Sequence, residues 1–310
     1  MEVNKTKNGH IAILIANIIF GLNIPISKAV LSDYGFDPLL LSFLRMIGAA
    51  TLFWTVSLIL KPERIKPKHI WIIILASIFG ITLNQVSFIV GLKTTSPIDA
   101  SLIITLTPII TMLISALHLK EPITFQKTIG VLMGLSGAVI LILAGQKGLG
   151  NTPRSVLGNS LVLTSALSYS IYLVFFKRFV SKYHPVEIMK WMFLIAAITI
   201  TPLIYTQSDL GELRGMETGL LLRILYVIVG ATFTTYFLIP IGQKLLRPTT
   251  LSMYNYLQPI IASAVAVFFA QEIFGGNKIT ATILVFLGVY IVTRSKSRAD
   301  IEAEKLREEK

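Results

Sequence analysis

The side chains able to do chemistry in this chain are few, and most are uncharged. The sharpest is Arg45, seven residues past Pro38 in an otherwise apolar run, Pro38 to Leu60. A guanidinium so placed is costly unless it faces a wet cavity or a partner. It could grip a carboxylate or phosphate through paired N–H donors, or serve as a hydrogen-bonding hub for helix ends. Other polar residues recur at helical spacing within apolar runs. The first run carries Asn17, Gly21, Ile24 and Lys28, with Asn23 and Pro25 interrupting it. A later run holds the dense patch Thr82, Asn84, Gln85 and Ser87; others hold Ser165, Tyr169 and Tyr172, or Thr232 to Tyr236. Two stripes lie on equivalent helices: Ser101, Thr105, Pro108, Thr111 or Met112, and Ser115 on one, and Ser252, Tyr256, Pro259 and Ser263, with Asn255 and Gln258 alongside, on the other. Amides, hydroxyls and one guanidinium are equipment for binding a solute. Small hydroxyls also permit close helix packing, and Lys28 can snorkel to an interface.

Bond-making chemistry finds little support. There is no cysteine, so thiolate nucleophiles, thiolate metal sites and disulfides are excluded. The four histidines, His10, His69, His118 and His184, stand apart at the ends of apolar runs and form no metal motif. Glu121 and Glu272 occupy matching helix connections, where a carboxylate is stabilised by the helix dipole. Asp99 is the other acid close to a span. An integral membrane enzyme that modifies lipids is the alternative reading, but it would want clustered carboxylates, histidines or a metal. A passive channel would want rings of charge or a filter loop, and neither occurs. No cofactor is expected.

These residues must be positioned by membrane helices. The 310 residues are 54% hydrophobic and only 14% charged, with mean hydropathy +0.73, which places the chain in a bilayer. Ten runs are long enough to span, near 10–31, 38–60, 70–92, 97–117, 124–144, 156–178, 186–206, 219–240, 248–270 and 278–293. The first lacks a small-residue cleavage site and reads as a retained span. The net charge of +12 could suggest nucleic acid, but no basic run is interleaved with aromatics. It reads as a topology signal: with the N-terminus cytoplasmic, twenty Lys and Arg fall inside and seven outside, so both termini are expected inside.

The chain also overlays itself. Displaced by 151 residues, Gly91, Lys93, Pro97, Ser101, Pro108, Glu121 and Gly137 meet Gly242, Lys244, Pro248, Ser252, Pro259, Glu272 and Gly288. The expected organisation is one repeat at 10–145, a linker at 146–155, a second repeat at 156–293 and a charged cytoplasmic tail at 294–310. Five spans per repeat is odd, so the second must enter the membrane inverted. The fold class is thus an all-α integral membrane protein with ten transmembrane helices in two inverted five-helix repeats. Pro108 and Pro259, each freeing a carbonyl near Ile104 and Asn255, are expected hinges together with Pro25.

The run Lys93-Thr-Thr-Ser-Pro-Ile-Asp-Ala-Ser101, then Pro108, Leu119-Lys-Glu-Pro122 and Gly130, Gly134 and Gly137, resembles the C-terminal part of the repeat in the EamA family of the drug/metabolite transporter superfamily. Phe20-Gly-Leu-Asn-Ile-Pro25 with Lys28, and Leu44-Arg45, resemble its N-terminal part. The second repeat departs from the pattern, with Ile273 in place of Pro122 and no arginine matching Arg45. The resemblance implies a basket-like inner-membrane carrier that exports or takes up amino acids, other small metabolites or drugs, with a cavity enclosed by both repeats. The expectation is a secondary transporter working by alternating access, exporting small organic solutes, as a monomer or homodimer surrounded by membrane lipid. Its substrate-binding residues are expected to be Asn17, Asn23, Arg45, Asn84, Gln85, Thr105, Tyr169, Tyr172, Tyr236, Asn255, Tyr256 and Gln258.

Overall fold

The computed structural model describes residues 2–95, 100, 103–144, 156–268 and 276–296. The expected linker at 146–155, the tail beyond residue 296, and Asp99, Ser101 and Glu272 lie outside the described residues, as does the side chain of Ser263.

The described residues form helices and no strand. Helix α1 spans Glu2–Ser32, α2 Pro38–Leu60 and α3 Pro67–Thr94. Next come α4, Thr107–His118, α5, Phe125–Ala144, and α6, Val156–Phe175. Then follow α7, Pro185–Gln207, and α8, Thr218–Leu245. Helix α9 is split into Pro248–Met253 and Leu257–Phe268 by the tight turn Tyr254–Tyr256, and α10 is Gly276–Arg294. Six helices among the described residues, α1 from Thr6, α2, α3, α6, α7 and α8, are long and apolar enough to cross a membrane; shorter apolar helices lie in α4, α5 and α10. The protein is therefore a multi-pass membrane protein. Helix starts follow local chemistry: Asp37 accepts the Leu40 N–H at 2.7 Å, and Pro38 sits in the first turn, where its missing N–H goes unnoticed.

Three irregularities shape the interior. The break expected at Asn23 and Pro25 is absent, and α1 runs through both. A proline within a membrane helix survives where neighbouring helices hold the chain, and Gly21 one turn earlier packs directly on Ile261 and the Gln258 carbonyl. Breaks do occur just ahead of the other two prolines, at the turn Thr105–Leu106 before Pro108 and at Tyr254–Tyr256 before Pro259. Helices α3 and α8 each widen into π-helical turns, at Ile78–Thr82 and Tyr226–Thr234. A displacement of 151 residues carries 78–82 onto 229–233, inside the second turn. Such widened turns are rare and concentrate at functional sites.

Helix α5 packs on α10, α2 on α7, α3 on α6, and α1 on α8 and α9, while α4 lies against α6 and α9. Aromatic rings fill the interior between α2, α7 and α8: Phe53 stacks on Phe193 at 5.7 Å, and Phe193 meets Tyr236 edge-on at 5.1 Å. The α5–α10 contact depends on missing side chains. A Cβ on Gly288 would come within 2.5 Å of the Gly130 carbonyl oxygen and 2.7 Å of the Gly134 nitrogen. Gly288→Val should therefore force the pair apart and cost about 1–3 kcal/mol, as overpacking does. Thermal unfolding in detergent measures it, with Ser136→Ala on the exposed face of α5 as the control; an unchanged midpoint for Gly288→Val would refute the close contact.

Candidate functional site

A cavity of about 90 Å³ lies where the helices of the two halves converge. Helix α1 contributes Phe20, Asn23 and Ile24, α2 Arg45, and α3 Asn84, Gln85 and Phe88. Ile104 and Thr107 enter beside the break ahead of α4, and Ser165, Ala166 and Tyr169 come from α6. Tyr236 of α8 and Asn255 and Gln258 of α9 complete the wall. Ile104 and Asn255, whose carbonyls have a proline four residues on, sit at matching repeat positions and both face this space.

Eight of the twelve residues expected from the sequence thus meet in one cavity: Asn23, Arg45, Asn84, Gln85, Tyr169, Tyr236, Asn255 and Gln258. The other four do not line it. Asn17 stands behind the wall, accepting a hydrogen bond from Gln258 Nε2 at 3.1 Å and donating to the Ile13 carbonyl at 3.0 Å. Thr105 is fully buried in the turn before α4. The Tyr172 ring packs against Gly80, where a Cβ would approach it to 2.6 Å. Tyr256 fills the contact between α5 and α9, packing on Gly134 and donating to the Val131 carbonyl at 3.3 Å. All four are polar groups on apolar helices, and helical spacing alone cannot separate a wall from the packing behind it.

Several lining residues escaped the sequence reading. Phe88 and Ala166 are apolar residues in apolar runs and carry no local signal, whereas Ile24 stood on the stripe with Asn17, Gly21 and Lys28. Ser165 did stand in a polar stripe, Thr107 lies next to Pro108 of another, and Phe20 belongs to the motif with Asn23 and Pro25.

The electrostatics centre on Arg45, which is 3% exposed. Its Nε donates to Thr232 Oγ1 at 3.0 Å, and that hydroxyl donates to the Val227 carbonyl at 2.7 Å, within the π-helical turn of α8. Among the described residues the ion pairs are Lys127–Glu121 and Lys190–Glu187, so Arg45 has no carboxylate partner there. No carboxylate among the described residues lines the cavity. A guanidinium carries five N–H donors, and Thr232 engages one.

The widened turns also place the amides. Just beyond the turn of α3, Asn84 Nδ2 donates to the Ser165 carbonyl at 3.1 Å and to its hydroxyl at 3.0 Å. The Tyr236 hydroxyl, just beyond the turn of α8, lies 3.3 Å from both Asn84 Oδ1 and the Gly80 carbonyl. Gln85 faces Tyr236, yet neither end of its amide makes a hydrogen bond of good geometry. Buried amides left unpaired cost about 1–3 kcal/mol, so Gln85 is a polar group waiting for a partner.

Two lysines in corresponding places, each nineteen residues after a glycine, Gly9 or Gly158, act away from the cavity. Lys28 Nζ donates to the Leu92 carbonyl at 2.9 Å, at the C-terminal end of α3. Lys177, its counterpart, donates to the Leu246 carbonyl just past α8. Each supplies a cation where the helix dipole is negative. Lys177 lies between α6 and α7. Burial holds its ammonium below the usual lysine range, and the attraction of Glu121 offsets this while Arg247 adds to it.

The sequence model of the EamA-like transporter family matches residues 7–143 and again 156–294. An uncharacterized transporter of Archaeoglobus fulgidus is 27% identical over 276 residues, covering 84% of this chain and 90% of that protein. The uncharacterized transporter YdfC of Bacillus subtilis is 25% identical, over 77% of this chain and 76% of the relative. A WAT1-related protein of Arabidopsis thaliana is 24% identical, over 90% and 86%. A solved crystal structure of a protein 21% identical in sequence superposes with a TM-score of 0.75, covering 94% of this chain and 96% of its own, and so shares the fold. With the family matched over nearly its whole length, the chain belongs to the EamA-like transporter family, a family of transporters and not of enzymes.

Proposed function

We propose that the protein is a secondary transporter that exports small organic solutes, such as amino acids or drugs, across the inner membrane by alternating access, with both termini cytoplasmic. The observation that carries this reading is the cavity shared by both halves, in which, among the described residues, the Arg45 guanidinium has no ion pair and the Gln85 amide makes no hydrogen bond of good geometry. A guanidinium, amides and phenols without acids suit a solute with a carboxylate and some apolar surface. At about 90 Å³ the space is well below the ≈ 300–1,000 Å³ of ordinary ligand pockets. This is consistent with a contracted state that must widen to admit and release its solute.

Ten crossings in two inverted repeats, 10–145 and 156–293, belong to the same proposal. The double family match supports it, as does the exchange pattern in which α1 packs on α8 while α3 packs on α6. The glycine contacts exchange in the same way. A Cβ on Gly130 would meet the Gly288 carbonyl oxygen at 2.9 Å, and one on Gly137 would meet the Ala281 carbonyl oxygen at 2.6 Å; the displacement of 151 converts one pair into the other. Pro108 and Pro259, at the broken starts of α4 and α9, are the proposed hinges.

Proteoliposomes test the reading. Uptake of labelled amino acids should saturate with concentration and accelerate when the same solute is loaded on the opposite side. Flux that neither saturates nor responds to solute across the membrane would indicate a pore and refute the carrier. Comparing right-side-out with inverted vesicles reads the direction.

A further inference from the structure

A second cavity, about 780 Å³, lies at one membrane edge of the protein, between the end of α2, the start of α3 and the first turns of α7. Its floor is finished protein chemistry. Lys190 Nζ sits 2.6 Å from a Glu187 carboxylate oxygen, donates to Ser57 Oγ at 2.9 Å, and lies 4.7 Å from the Trp54 ring centre. The second oxygen of Glu187 receives the Trp191 indole N–H at 3.2 Å and the Ile65 backbone N–H at 3.4 Å. Among the described residues Glu187 is the carboxylate that lines this cavity, and both its oxygens are engaged. Glu63 of the same loop lines a neighbouring hollow that Lys66 also borders, and the two form no ion pair.

The rim is different. Lys61, Arg64 and Lys66 line the cavity with no ion pair or side-chain hydrogen bond among the described residues. Beside them α2 ends in Leu58, Ile59 and Leu60, which are 72%, 75% and 53% exposed, and α3 opens with Trp71, 73% exposed. Three unpaired cations thus stand at the lip of a hollow whose outer shoulder is bare hydrocarbon and indole. A soluble anion would use the cations alone. An amphiphile with a phosphate at one end and acyl chains at the other uses both, because the charges meet its headgroup while the exposed shoulder stays within the lipid phase.

We infer that this cavity is a binding site for the headgroup of an anionic phospholipid, with Lys61, Arg64 and Lys66 on the phosphate and the acyl chains lying along Leu58 and Trp71. The site is separate from the central cavity and does not depend on which solute that cavity carries.

The test measures thermal unfolding and bound lipid, by native mass spectrometry, for the full chain in detergent. The probes are phosphatidylglycerol, phosphatidylcholine, and the deacylated headgroup glycerophosphoglycerol. Phosphatidylglycerol should be retained and should raise the midpoint, with phosphatidylcholine weaker and the deacylated headgroup inert. Each replacement among Lys61→Gln, Arg64→Gln and Lys66→Gln should reduce the preference for phosphatidylglycerol roughly fivefold, the scale of one basic residue at an anionic surface. Equal binding of the two lipids by the unmodified protein would overturn the inference. So would an equal shift from the deacylated headgroup, which would make this a soluble-phosphate site. The lipid comparison needs no variant, so it decides the matter even if a replacement folds poorly.

Discussion

Arg45→Gln should reduce transport of a carboxylated solute by about 10- to 100-fold, the range expected when a hydrogen bond to a charged group worth 1.5–3 kcal/mol is lost. Membrane yield and thermal midpoint should hold. The two effects separate because Arg45 is buried to 3% exposure with Thr232 as its hydrogen-bond partner and no carboxylate nearby among the described residues. Removing a buried charge that has no counter-ion orphans nothing, and glutamine can still donate to Thr232. The desolvation cost of the guanidinium disappears with it, so stability should stay level or rise slightly. Arg45→Lys should fall between, because lysine retains the charge and loses the planar fork. The measurement is initial uptake in proteoliposomes beside unfolding of the same preparations. If transport and folding fall together, Arg45 is a structural hub and the binding role is wrong.

The largest stability effect should come from Glu121→Leu. Lys127 is 1% exposed, and its ammonium lies 3.0 Å from Glu121 Oε2 across the connection between α4 and α5. Thr249 of α9 reaches the same carboxylate oxygen at 3.5 Å, so one acid ties the first half to the second. Breaking a buried pair by deleting one partner typically costs about 3–5 kcal/mol, mostly for the charge left behind. Glu121→Leu with Lys127→Met removes both charges and should recover most of that loss. Recovery should be incomplete, since Lys177 also draws on Glu121. Thermal or denaturant unfolding reads all three proteins. If the single and double variants prove equally stable, the pair contributes little and the carboxylate must act otherwise.

Much of the scaffold was legible before any coordinates. Runs of apolar residues declare membrane helices because lipid leaves the backbone no other partner, and α2, Pro38–Leu60, falls on the run read from the sequence. Helices α3 and α8 came out longer than expected, reaching Thr94 and Leu245. Their π-helical turns have no marker in hydropathy, since an extra residue in a helical turn leaves the composition unchanged. Pro25 shows the opposite error. Proline signals a break from local rules alone, yet α1 continues because its neighbours hold it in place.

The candidate site divides along the same line. Residue type alone identified Arg45, Asn84, Gln85 and Asn255, because an amide or guanidinium in an apolar run is expensive and so stands out. Only the tertiary arrangement separated Asn255 and Gln258, which face the cavity, from Tyr256 between them, which turns into the α5–α9 packing. The sequence by itself determined a membrane-embedded chain with a sparse set of polar groups, matched twice by one family pattern, because burial in lipid and family membership both leave marks in residue order. The structure decided which of those groups share a cavity, that Arg45 has no acidic partner among the described residues, and that Phe88 belongs to the wall. Those facts depend on how helices distant in sequence are rotated about their own axes, and that rotation is set by packing between helices, not by any one segment.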